Sequence, residues 1–399
     1  MAFSLIRSER VAAFLLLAAA ALGLIAANSP IGPALMGLQD AHLTIPGTPL
    51  DLSVGHWISD GLLAVFFFVV AVELKNEFAV GQLNSVSKAV RPAVAALGGV
   101  IVPALIYLAV TAGSGYEGGW PIPTATDIAF ALGVLAVFGT GIPSRLRIFI
   151  LALAILDDIV AILIIAVFFT ADPNLLFIGL GALGVVAFGL LSRLMAARAA
   201  GGMRILIAVA MVAVALITWS LVYLSGVHAT IAGVALGLTM VRRPALHVRH
   251  ALEPVTNGFI LPLFAFSAAL VAFPQVSPSQ LAAPFWGILI ALPVGKLIGI
   301  ALGGWLSSYV GPRERRPQLT LHGLMAAGAL GGVGFTVSLL MNELAFAGRP
   351  EVADEGTLAV LLGSSISIVL AAVLVSSLAR YYRRLRQLRL AAEEKRASA

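Results

Sequence analysis

"LALAILDDIVAILIIAVFF", residues 151 to 169, decides how this chain has to be read. Two adjacent carboxylates, Asp157 and Asp158, interrupt an aliphatic and aromatic run long enough to cross a hydrocarbon core of about 30 Å as a helix. At about 1.5 Å per residue, Asp158 lies about 16 Å from Arg147 and about 21 Å from Asp172, near the middle of such a span. The pair is too deep to be solvated from either end.

The rest of the chain repeats the pattern. Apolar stretches recur at 11–27, 57–79, 92–112, 120–139, 147–170, 175–195, 205–221, 224–241, 255–273, 285–307, 321–346 and 358–380, which reads as about twelve transmembrane helices. Of 399 residues, 60% are hydrophobic and 11% charged, against about 25% charged in a soluble domain. The fold class expected is an all-α integral membrane protein. Residues 1–382 are expected to form a single transmembrane domain and 383–399 a basic cytoplasmic tail that leans on anionic head groups.

A net charge of +6 would suit a nucleic-acid partner if the basic residues were scattered. They fall instead on alternate loops: Arg7 and Arg10; Lys75, Lys88 and Arg91; Arg145 and Arg147; Arg193, Arg198 and Arg204; Arg242, Arg243 and Arg249; Arg313, Arg315 and Arg316; and the tail "RYYRRLRQLRL". The intervening loops carry acids and, apart from Arg349, almost no bases. The positive-inside bias then places both termini in the cytoplasm and makes the span count even, with no role for nucleic acid. "MAFSLIRSER" ahead of a long apolar run reads as the start of a retained first span, since no clean small-x-small cleavage site follows. With no cysteine, disulfides, thiolate metal sites and cysteine nucleophiles are excluded.

Two spans are interrupted. "GWPIPTATDIAFALG" (119–133) opens on prolines and carries Thr124, Thr126 and Asp127 at membrane depth, while "AAGALGGVGFTVSLL" (326–340) is dense in glycine just ahead of Phe335 and Thr336. Irregular backbone at that depth survives only where protein or water covers it, so two interrupted spans in two halves of a chain point to a transport site. The external loop "HLTIPGTPLDLSVGHW" (42–57) alternates apolar and polar residues around Pro46, Gly47 and Pro49, as a small β-hairpin would.

Lys296 in "LPVGKLIGIALGGW" sits at mid-span as well, about 18 Å from Pro284 and about 16 Å from Ser307. Four ionised groups, Asp127, Asp157, Asp158 and Lys296, would cost roughly 10 kcal/mol on insertion scales if left alone. They must be paired, hydrated or protonated, and intramembrane ionisable residues are functional candidates by default. A purely structural Lys296–Asp157 bridge would leave a carboxylate unexplained. Neighbours on a helix point about 100° apart, so Asp157 and Asp158 cannot clamp one ion from one axis, yet both can face one cavity. Oxygen ligands suit a hard monovalent cation such as Na+ or Li+. Desolvation and like-charge repulsion favour the protonated carboxyl, so ion and proton compete for the same oxygens.

At these residues the sequence resembles the NhaA family of sodium/proton antiporters. The likeness rests on seven segments in the family's order: "VFFFVVAVELKNE", "TATDIAFALGVLAVFG", "LALAILDDIVAI", "SGVHATIAGVALG", "ILPLFAFSAAL", "GKLIGI" and "GVGFTVSL". It implies inverted-topology repeats and two discontinuous helices, around 120–139 and 321–346, that cross at the membrane centre, an arrangement of which that family is itself a standard instance. It also implies electrogenic, pH-regulated exchange of Na+ or Li+ for H+ across the bacterial cytoplasmic (inner) membrane, with no cofactor. By resemblance Asp158 is the principal cation ligand and Asp157 its partner, engaging Lys296 when sodium is absent. Thr126 and Asp127 mark the first crossing segment, with Asp127 balancing the positive ends of half-helices. Asp60 has a supporting role, Glu73 lies near the cytoplasmic funnel, and His228 belongs to the pH response. The 42–57 loop falls where the family has its dimerising hairpin, which implies a homodimer. Departures are Asn76, where the family commonly has arginine, the sparser "RRPALHVRHALEP", and "FAFSAAL" for the usual "FAFANAG"; they touch the pH set point more than the core site.

Two other classes compete. Proton-coupled uptake of a small organic solute would also use midplane carboxylates, but needs a larger polar cavity than these spans can line. A membrane enzyme is disfavoured because an intramembrane aspartyl protease uses a "GxGD" pattern that is missing here, and Mg2+-dependent lipid transferases place spaced acidic motifs near a membrane surface. The chain is not expected to be an enzyme.

Overall fold

The computed structural model describes residues 9–81, 83–170, 172–198, 201–274, 277–309 and 319–397. Arg7, Arg313, Arg315 and Arg316, used above to orient the chain, lie outside these, as do the other residues of 1–8. The described chain is built of α1 (Glu9–Ala27), α2 (Gly32–Gln39), β1 (His42–Thr44), β2 (Asp51–Ser53), α3 (Val54–Ala79), α4 (Val86–Thr111), α5 (Ile128–Phe138), α6 (Ser144–Phe168), α7 (Leu175–Arg198), α8 (Gly202–Leu224), α9 (Thr230–Thr239), α10 (Arg242–Ala268), α11 (Ala283–Tyr309), α12 (Leu321–Gly331), α13 (Phe335–Ala345) and α14 (Pro350–Ala397).

Nine helical segments among the described residues are long and apolar enough to cross a membrane, or eleven when the bent pairs α1/α2 and α12/α13 each count as one span. The twelfth expected span, 224–241, is corrected to the ten-residue α9, about 15 Å of helix and too short to cross alone. α8 runs on to Leu224, and Gly226, at φ 78°, turns the chain, which uses up the residues a full span would need. A short helix at that depth is tolerable because protein covers it. Gly233 and Gly237 of α9 lie against the Ala64 and Phe68 carbonyls of α3, with no room for a side chain between.

The chain separates into two compact units, one built of 15–84 and 162–273, the other of 9–14, 85–161 and 274–399. In the first, Val72, Phe188, Met211, Leu236 and Met240 form a core, and Leu50 and Leu52 pack with Trp219 beneath the hairpin. Leu183, Leu190, Val209, Val212 and Leu216 of α7 and α8 stay exposed, which costs nothing where the solvent is lipid. The strands pair antiparallel, His42 opposite Ser53 and Thr44 opposite Asp51, so the 42–57 loop does form a hairpin.

In the second unit Leu135, Phe149, Leu153, Ile300, Leu324, Leu330 and Val375 make the core. Gly295, Gly299 and Gly303 line one stripe of α11 and meet Pro103, the Gly98 carbonyl and the Val94 carbonyl of α4. Small residues at this spacing let two helices touch backbone to backbone, the usual way to pack where no hydrophobic force separates helix from lipid. Among the described residues three helices carry a π-turn, at Trp57–Leu62, Thr256–Ile260 and Ala291–Gly295. The last ends one residue before Lys296. α14 stays helical beyond 383, so the expected basic tail continues the final helix rather than leaving it.

Candidate functional site

Both interrupted spans are broken as expected, and both breaks belong to the second unit. Residues 117–124 make two short 3-10 turns, Glu117–Gly119 and Ile122–Thr124, because Pro121 and Pro123 cannot donate the bonds of a regular helix. Ala125 and Asp127 are extended before α5 begins. α12 and α13 meet at a 51° bend over Gly332–Gly334.

The two breaks satisfy each other. Thr126 Oγ1 donates to the Gly331 carbonyl at 2.8 Å, and the Asp127 N–H donates to the Val333 carbonyl at 2.6 Å, so the exposed carbonyls at the end of α12 are capped. The Asp127 carboxylate does the reverse at the helix starts. It accepts from the Phe130 N–H at 3.2 Å in the first turn of α5, and from Thr336 N–H at 3.2 Å and Oγ1 at 2.7 Å in the first turn of α13. One carboxyl group thus serves two positive helix ends, which is where a buried carboxylate is best stabilised. The Phe335 N–H, another orphan of α13, donates to Ser364 Oγ of α14 at 3.2 Å, and Ser338 Oγ ties α13 to the Ile122 carbonyl at 2.7 Å.

Beside this crossing Lys296 is fully buried and forms an ion pair with Asp157 Oδ2. Its ammonium also donates to Thr126 Oγ1 at 3.0 Å, and Thr126 is hydrogen-bonded to the same Asp157 oxygen. A hydroxyl has one proton, so Thr126 chooses between Asp157 and the Gly331 carbonyl while accepting from Lys296. Asp157 Oδ1 is buried and accepts no hydrogen bond among the described residues. Asp158, also buried, follows on α6. Of the residues singled out in the sequence, the structure brings Thr126, Asp157 and Lys296 into contact, with Asp158 next along α6 and Asp127 next to Thr126 but bonded to the starts of α5 and α13.

Asp60, Glu73 and His228 belong to the other unit and are taken separately. Asp60 lies in the π-turn of α3, and His228 stands 3.1 Å from its carboxylate, on the loop before α9, with both side chains largely buried. Trp219 Nε1 donates to the Asp60 carbonyl at 2.9 Å. Glu73 pairs with Arg249 of α10 at 3.1 Å. Asn76, the departure from the family pattern, accepts from Arg242 at 3.2 Å.

Sequence reading noted Thr336 but gave it no role, used Arg249 only to orient the chain, and did not single out Ser338 or Ser364. The signal for Thr336 was its place after the glycine run; for Ser364 there was none. Among the described residues no three His, Asp or Glu side chains come together as a metal group. The cluster is instead two adjacent carboxylates, one ammonium and one hydroxyl, a set that can hold a single small cation or protons in exchange.

The family described as Na+/H+ antiporter 1 matches residues 4–375. The chain is 59% identical over 382 residues to the "Na(+)/H(+) antiporter NhaA 2" of Clavibacter michiganensis subsp. michiganensis, covering 96% of this chain and 93% of that protein. It is 46% identical over 376 residues to the "Na(+)/H(+) antiporter NhaA" of Tropheryma whipplei, covering 93% and 94%. With the "Na(+)/H(+) antiporter NhaA" of Streptomyces avermitilis it shares 43% identity over 396 residues, covering 95% and 82%.

Proposed function

Because the chain belongs to the Na+/H+ antiporter 1 family, we propose that it exchanges Na+ for H+ at the Asp157, Asp158 and Lys296 cluster. One observation carries the assignment to these residues: a buried lysine on a buried aspartate, at the crossing of two broken helices, with a second aspartate adjacent. Taking ions out of water costs several kcal/mol each, and a lone carboxylate or lone ammonium there would cost more. Na+, H+ and the Lys296 ammonium are alternative ways to neutralise the same oxygens.

Asp158 is the principal cation ligand in this reading. Asp157 joins it when Lys296 lets go, and the Lys296–Asp157 pair is the ion-free form. Thr126 follows Asp157, and Asp127 keeps the two half-helix ends neutralised through the cycle. Li+ is a second substrate, since its charge and oxygen preference match Na+. Two carboxylates for one cation favour electrogenic exchange. The Asp60–His228 pair belongs to pH regulation, being an ion pair only when the imidazole is protonated, and the Glu73–Arg249 pair lies near a cytoplasmic entry.

Both termini are cytoplasmic and the membrane is the bacterial inner membrane in this reading, with 1–382 a single transport domain, 383–399 its basic tail, and a homodimer the working assembly. No cofactor is needed.

The test uses everted vesicles with an acid lumen reported by a pH dye. Na+ and Li+ should dequench it across mildly acid to alkaline pH, K+ should not, and Asp158→Asn should abolish the response while remaining inserted. Correctly inserted wild-type protein silent at every pH would end the antiport reading and turn attention to proton-coupled solute uptake.

A further inference from the structure

At one end of the second unit a cavity of about 280 Å³ opens between the start of α4, the end of α11 and the start of α12. Its lining divides by chemistry. Among the described lining residues Arg91 is the one charged side chain, joined by the hydroxyls of Ser307, Ser308 and Thr320, while Phe149, Trp305, Leu321 and Leu324 form apolar walls. Trp305 is half exposed and stacks edge-on with the exposed Tyr309, ring centroids 5.2 Å apart.

Each part narrows the occupant. An indole and a phenol together at a helix end mark the head-group level of a bilayer, so this mouth meets lipid rather than open water. A guanidinium with several hydroxyls is a phosphate-binding set. Thr320 adds the first turn of the eleven-residue α12, which its hydroxyl caps through the Gly323 N–H at 3.2 Å, so that the positive end of that helix faces the same space. Apolar walls continuing from that polar corner to Leu321, 62% exposed, suit acyl chain and not a free ion. We infer that this cavity binds the phosphodiester of an anionic glycerophospholipid, with Arg91, Ser307, Ser308 and Thr320 on the phosphate and Trp305, Leu321 and Leu324 along the chains.

Arg91 has other contacts, and the site does not require it to be free of them, because a guanidinium carries five donors. Nor is a general attraction of anionic lipid sufficient. Arg145, exposed at the start of α6, stands in a basic segment too but does not line the cavity.

The full-length chain in detergent, stripped of lipid, would be titrated with phosphatidylglycerol, with phosphatidylcholine and with inorganic phosphate. Bound lipid would be read by native mass spectrometry and thermal stability in parallel. Phosphatidylglycerol should bind and stabilise, and Arg91→Gln should weaken it by about fivefold to tenfold, the effect of one lost cation at a phosphate. Arg145→Gln should leave it unchanged. Equal loss in both variants would reduce the effect to surface charge; equal binding of phosphatidylcholine would remove the demand for an anion; phosphate acting alone would make this a free-anion site. Any of these overturns the proposal. Should Arg91→Gln fail to fold, a photoreactive phosphatidylglycerol on the wild type decides instead: adducts on Trp305 or on 319–324 support the site, and adducts elsewhere refute it.

Discussion

Lys296 and Asp157 neutralise each other where neither could stay charged alone, and removing one partner tests that dependence. Lys296→Ala leaves a carboxylate buried without its counter-charge, a change that costs about 3–5 kcal/mol when the remaining group stays ionised. Thermal melting of both proteins measures that cost, and Lys296→Met, which keeps most of the packing and removes the charge, should lose about as much; a Met variant as stable as the wild type would mean that Lys296 acts only by packing. Sodium-driven exchange should survive in part, because both carboxylates of the site remain. These charges were legible in the sequence because an aspartate or lysine inside an apolar run has no ordinary explanation. The hydroxyls were not. Ser364 and Ser365 are neighbours on α14, yet Ser365 Oγ bonds the Leu361 carbonyl of its own helix while Ser364 Oγ accepts from Phe335 of another. Serines in apolar helices commonly make the first kind of bond, so tertiary placement alone separates the two.

At the scale of elements, the position of Lys296 depends on how closely α11 approaches α4. Gly299 lies one helical turn beyond Lys296, and a Cβ there would overlap the Gly98 carbonyl and come within 3.1 Å of Val102. Gly299→Ala must push the helices apart and carry Lys296 with them. A loss of about 1–3 kcal/mol is expected from overpacking, together with weakened Na+ exchange. Gly179 on α7 has nothing within 4 Å of the corresponding position. There Gly179→Ala should be neutral or stabilising by up to about 1 kcal/mol, as alanine is the better helix former. Melting temperatures and sodium-driven dequenching of the two variants separate close packing from a generic glycine effect. Sequence pattern did not single out the small-residue stripe of α11. It did reveal breaks at 119–133 and 326–340, because proline and clustered glycine are local signals. The shortness of α9 and the 113° bend between α1 and α2 escaped it. The first is set by the turn at Gly226, in a stretch whose hydropathy does not say where α8 stops and α9 begins, and the second by the break around Pro30, which the end of the 11–27 run marks in position but not in angle.

For the whole molecule, the proposed homodimer rests on the hairpin. Leu50 and Leu52 anchor it by packing with Trp219. Its other apolar residues face outward, Leu43 being 55% and Ile45 42% exposed. A two-stranded sheet leaves an open backbone edge on each strand, and an isolated pair is marginal by itself. A second copy of the chain can satisfy both the edge and the apolar residues at once, and a two-fold axis makes the contact self-complementary. Leu43→Lys with Ile45→Lys would place charges on that edge while leaving Leu50 and Leu52 in their core. The double variant should therefore convert a dimer to a monomer in light scattering on detergent-solubilised protein. It should retain Na+-driven exchange, because Asp157, Asp158 and Lys296 all come from one chain. A variant that stays dimeric would remove the hairpin from the interface. A monomer that has lost exchange would mean that the transport cycle itself needs the second copy.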